Sequence, residues 1–134
     1  MLDHVSFAVK NYEESCKFYD ETLLILGYKR EVTLEFPGGR VAGYGNGGTR
    51  PCLWISNGGG RKEETIGTAQ GLHFAFVAPS TAAVDQWYTA CLKLDGKDNG
   101  APGTRPHYHP NYYGAFTIDP NGWRIEACFH HHQP

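Results

Sequence analysis

Hydrophobic and polar positions alternate along residues 2–9: His4, Ser6 and Ala8 fall on one side, and Val5, Phe7 and Val9 on the other. A period of two with the bulky residues on one side predicts a half-buried strand. The period then changes. Tyr12, Cys16, Tyr19, Leu23 and Leu26 recur at helical spacing, and Phe18 widens the stripe, so a helix is predicted to about Leu26. Asn11 is placed to cap it, Glu13 and Glu14 suit the positive end of its dipole, and Gly27 suits its end. Three strands follow, over residues 28–36, 40–44 and 51–56, separated by glycine-rich turns. Residues 58–70 have glycines, charges and no period, which predicts a loop.

The pattern then repeats. Residues 72–77 alternate with His73, Ala75 and Val77 on one face and Leu72, Phe74 and Phe76 on the other. Ser80 or Thr81 caps a second helix carrying Val84, Trp87, Tyr88, Cys91, Leu92 and Leu94, and Asp95-Gly96 ends it. Residues 99–111, rich in Gly and Pro, predict one short, weak strand. Two firmer strands close the chain, over residues 113–118 and 123–129, joined by Asp119-Pro120-Asn121-Gly122, whose residues suit a tight turn. Each half therefore reads β-α-β-β-β, with one module over residues 1–57 and the other over 71–129. A repeated unit of this kind predicts two copies burying a shared face in one domain spanning residues 1–134.

Three polar side chains stand in otherwise apolar strands: His4, His73 and Glu126. The two histidines hold matching places in the repeat. A buried carboxylate is costly unless it is paired, hydrogen-bonded or metal-bound. Two imidazoles and one carboxylate suit a divalent cation with open coordination positions. The competing reading is that each is a satisfied polar group of the core. The smaller side chains on the histidine faces leave room for a ligand.

Composition narrows the partners. The net charge is −2 and no basic run exists, so neither nucleic acid nor an anionic membrane surface is an expected partner. Cys16, Cys52, Cys91 and Cys128 are scattered without a Cys-x-x-Cys pair, which fits buried thiols in a reducing compartment. No stretch approaches membrane-spanning length, so a soluble cytoplasmic protein is expected. The glycine runs at residues 45–48 and 58–60 lack the strand–loop–helix setting of a phosphate cradle.

The segment Arg105-Pro106-His107-Tyr108-His109-Pro110 is dense in titratable groups. His107 or His109 is a candidate general base, and the alternative is a surface loop with incidental histidines. Trp54, Arg105 and Tyr113 are candidate substrate-binding residues; Tyr112, Trp87 and Phe18 read as core. The histidines at positions 130–132 are set aside as a tail without a scaffold.

The stretches LDHVSFAV, NYEESCKFYDETLLILGY, GLHFAFVAPSTAAVDQWY and YYGAFTIDPNGWRIEACF, in this order, resemble the vicinal oxygen chelate superfamily of glyoxalase I, extradiol dioxygenases, fosfomycin-resistance enzymes and bleomycin-binding proteins. The resemblance covers nearly the whole chain. It implies an α+β fold, two tandem βαβββ modules whose sheets curl into a cup around a central site. It also implies one divalent metal ion (Zn, Ni, Mn or Fe), held at positions matching His4, His73 and Glu126, and a small substrate chelated through adjacent oxygens. The implied reaction is of lyase, isomerase, thiol-transfer or dioxygenase type. The alternative is a non-catalytic protein that sequesters a bleomycin-like antibiotic. A homodimer is implied, its modules pairing within a chain or swapping with a partner. One position departs from glyoxalase I: residues 51–56 carry no acid where that enzyme has a fourth ligand.

Overall fold

A computed structural model describes residues 1–48, 50–58 and 71–131. Most of the expected 58–70 loop lies outside the described residues, as does the end of the histidine tail. The first module comprises β1 (Val5–Ala8), α1 (Tyr12–Ile25), β2 (Lys29–Phe36), β3 (Gly39–Gly45) and β4 (Leu53–Gly58). The second comprises β5 (Phe74–Val77), α2 (Thr81–Lys93), β6 (Lys97–Thr104), β7 (Tyr112–Ile118) and β8 (Arg124–His130). The α+β class and the doubled module are those the sequence implies.

Both helices start where their caps direct. The Asn11 side chain accepts from the Glu14 N–H, and the Ser80 hydroxyl accepts from the Ala83 N–H. Gly27 leaves α1 with φ +90°, a conformation glycine adopts without a Cβ penalty.

Each module forms a four-stranded mixed sheet, ordered β1-β4-β3-β2 and β5-β8-β7-β6. The first strand of each module runs parallel to the last. β1 and β5 each end their own sheet and do not pair with one another, so the cup is open.

β6 is longer than the weak strand the sequence suggests, eight residues despite Gly100, Pro102 and Gly103. Its position resolves this. It is an edge strand whose register slips at Asp98/Gly100 and at Gly100/Gly103, where missing side chains and a missing N–H do least harm.

The modules meet on their helix-covered faces. α1 packs against α2. Phe7 of β1 stacks on Phe74 of β5 at 5.5 Å between centroids and lies 4.9 Å from Trp123. The buried Tyr19 hydroxyl donates to Asp119 across the module boundary at 2.5 Å. The bulky side of each first strand thus builds one shared core, and the opposite side of each sheet is left facing outward.

Candidate metal and ligand site

Strand alternation decides which side chains reach the outward faces. In the second module Glu126 lies opposite Ala75 on β5 and Phe116 on β7. Its carboxylate is only 2% exposed. His73, just ahead of β5, places Nε2 3.0 Å from Glu126 Oε1. The second oxygen, Oε2, accepts a short hydrogen bond from the Tyr112 hydroxyl. Gly114 makes that bond possible: a Cβ there would stand 3.0 Å from Glu126 Oε2 and 3.1 Å from the Tyr112 ring. Burial, with the Glu126 contact adding to it, holds the Tyr112 hydroxyl pKa well above its ordinary value. The phenol is therefore a neutral donor to the carboxylate. Phe116 meets the His73 ring edge-on at 5.7 Å, and the Arg105 guanidinium lies 5.5 Å from the Phe116 ring.

His4 stands elsewhere. It lies on the outward side of the first module with Nδ1 2.6 Å from Asp3 Oδ1, a contact that holds the Asp3 carboxyl below its usual range. A cavity of about 520 Å³ opens beside it, lined among others by Ser6, Val41, Arg50, Trp54 and Ser56, all from the first module. Trp54 occupies this face, as its place on β4 suggests. Among the described residues, no three His, Cys, Asp or Glu side chains come together as a metal-binding group. The structure thus joins His73 to Glu126 and keeps His4 on the other module's face.

The remaining candidates divide. Arg105 borders the Glu126 face through Phe116. His109 donates or accepts with His130, Nε2 to Nδ1 at 2.7 Å, and its ring lies 5.4 Å from that of Tyr112. His107 packs on Tyr108, one ring further out. Tyr113 lies on the other side of β7, where its hydroxyl donates to Asp85 of α2 at 2.6 Å. Tyr112, whose sequence reads as core, instead stands on the outward face beside Glu126. His130, set aside with the tail, is the last residue of β8, with Nε2 3.9 Å from the Cys128 thiol. Parity carried the missed signal: Tyr112 is two positions from Gly114 and four from Phe116, so it shares their face and that of Glu126.

The molecule is thus two βαβββ modules sharing one core, with polar side chains gathered on the outward face of each. The chain belongs to the Glyoxalase/Bleomycin resistance protein/Dioxygenase superfamily, whose family model matches residues 1–127. It is similar to a glyoxalase/bleomycin resistance protein from Albidiferax ferrireducens T118, at 26% identity and TM-score 0.72, covering 96% of this chain and 98% of that one. It is also similar to the V278E mutant of glyoxalase I from Zea mays, at 25% identity and TM-score 0.74, covering 94% of this chain and 44% of the maize protein. Glyoxalase I from Leishmania major shares the fold at 21% identity and TM-score 0.66, with 95% and 84% of the two chains covered. A search of curated proteins gave no match.

Proposed function

We propose that the chain is a metal-dependent, glyoxalase-like enzyme whose site is completed when the first module of one copy faces the second module of another. The carrying observation is the His73–Glu126 pair, 3.0 Å apart on an outward face, with His4 held apart on the other. The donor set fits a divalent metal: an imidazole nitrogen and a nearly inaccessible carboxylate whose cost of burial a cation would offset. His73 and Glu126 of one copy, with His4 of the second, would hold Zn, Ni, Mn or Fe. When bound, that metal supplies Lewis-acid stabilisation of charge on adjacent substrate oxygens.

The chain's own residues do the rest. Tyr112 fixes the Glu126 rotamer by donating to Oε2. Trp54 and Ser56 stand on β4 where glyoxalase I carries its acid, so a three-ligand site keeps positions open for substrate. Arg105 and Phe116 wall one side. His109, beside Tyr112, is the proton carrier at the rim, with His107 behind it. Isomerisation, thiol transfer and ring cleavage all use a stabilised oxyanion, and this arrangement offers that stabilisation.

The second reading is a protein that sequesters a small molecule without turning it over. It draws on the first-module cavity, which His73 and Glu126 do not line. Replacing His4, His73 and Glu126 together by alanine separates the two. The enzyme reading expects loss of turnover with loss of metal. Sequestration expects the wild type to bind its ligand without turning it over, so a metal-loaded wild type that binds ligand and shows no turnover would overturn the first reading.

A further inference from the structure

The first-module cavity has a floor of unusual shape. A Cβ placed on Gly43 of β3 would lie 2.7 Å from Trp54 Cζ3 and 2.9 Å from both neighbouring ring atoms, Cε3 and Cη2. Near-equal distances to the two flanking atoms put Gly43 under the face of the six-membered ring. An edge-on approach would leave those atoms much further away. The indole therefore lies flat on the sheet, one face against glycine backbone and the other toward the cavity. Only glycine at position 43 permits this. Trp54 stays partly exposed, whereas Trp87 and Trp123 are buried at 0% and 7%.

Around that floor stand Val41 and Pro51, which are apolar, and Arg50, His4 and Ser6, which are polar. The volume of about 520 Å³ is in the range that holds a small ligand. A flat indole with a free face favours another π system in offset stacking, and Arg50 supplies a planar donor for a carboxylate. The Asp3 charge is engaged by His4, so it opposes an anion less than a free carboxylate would.

We infer that this cavity takes a planar aromatic acid, its ring laid on Trp54 and its carboxylate directed to Arg50. This deepens the enzyme reading by naming the substrate class, and it rests on the first module's face being the substrate half of that site. Binding to Trp54 does not itself require the metal, so the two readings can fail separately.

The test uses metal-stripped protein in EDTA, titrated with 1-naphthoate and followed by tryptophan emission and calorimetry. Neutral 1-naphthalenemethanol and the non-aromatic cyclohexanecarboxylate are the control probes. Saturable quenching by 1-naphthoate is expected, with the neutral probe at least about tenfold weaker and the non-aromatic acid weaker still. Trp54→Leu and Gly43→Ala should each weaken naphthoate at least about tenfold, and Arg50→Gln should erase its advantage over the neutral probe. Circular dichroism confirms that each variant is folded; Arg50→Gln, at an exposed position, keeps the test falsifiable if the others are not. Absent quenching, equal binding of cyclohexanecarboxylate, or naphthoate affinity unchanged in folded Trp54→Leu would overturn the inference. Naphthoate binding by a wild type that takes up no divalent metal on reconstitution would sink the metal reading alone.

Discussion

Asp119 gives the most quantitative prediction. Its carboxyl is 3% exposed and accepts from the Tyr19 hydroxyl at 2.5 Å and from the Asn121 and Trp123 N–H groups at 2.9 and 2.8 Å. It therefore ties the turn of the second module to the helix of the first. Burial nonetheless pushes its pKa from 3.8 up to about 6, against the pull of those donors. A pKa raised in the native state means the native protein holds this proton more tightly than the unfolded chain does. The resulting stabilisation is complete below the unfolded value near 3.8 and is lost as pH rises through about 6. A gap of roughly two pKa units at about 1.4 kcal/mol each makes the loss about 3 kcal/mol.

The perturbation is Asp119→Asn, which keeps an acceptor for the backbone and removes the titration. Urea unfolding of both proteins between about pH 4 and pH 7.5 gives the stability difference at each pH, cancelling other titrating groups. Wild type should lose about 2.5 kcal/mol relative to the variant across that window, the rest of the change lying below about pH 4. A flat difference would refute the reasoning, because burial would then not dominate. A wild-type gain with rising pH would refute it more strongly, because the three donors would then outweigh burial.

Phe7→Ala removes a ring stacked on Phe74 and packed on Trp123 at the module boundary, and should cost about 3–5 kcal/mol in chemical denaturation. Asn11→Ala deletes the α1 cap and should cost about 1 kcal/mol by the same assay, with the fold retained by circular dichroism. Tyr112→Phe frees Glu126 Oε2 and should weaken metal binding by about 10–100-fold by competition titration, while His73→Ala should abolish it.

The sequence disclosed most of the fold because both modules are strongly patterned. The strand alternation, the Asn11 and Ser80 caps and the Asp119–Gly122 turn are local signals, and local signals survive without tertiary knowledge. β6 was the weak point, because Gly100, Pro102 and Gly103 argue against a strand unless its edge position is known. His73 and Glu126 were legible as polar intruders in apolar strands. Tyr112 was not, since an aromatic residue reads as core until its parity with Glu126 is counted. The same parity puts Tyr113, a candidate substrate-binding residue, on the opposite side of β7, where its hydroxyl meets Asp85. The flat seat of Trp54 was beyond the sequence, because it depends on β3 and β4 setting Gly43 opposite Trp54.

The proposed site, divided between two copies, is tested most directly by metal content in a mixed dimer. His4→Ala and His73→Ala chains are co-expressed with different affinity tags, the heterodimer is isolated through both, the tags are removed, and metal is counted by elemental mass spectrometry. Each variant alone should hold almost none. The heterodimer keeps one intact set, His4 from one chain with His73 and Glu126 from the other, and should hold about one metal for every two chains. A heterodimer as empty as its parents, beside a wild type that binds about one metal per chain, would contradict a shared site. A wild type that takes up no metal after anaerobic reconstitution with Fe, Mn, Ni and Zn salts would contradict the metal centre itself.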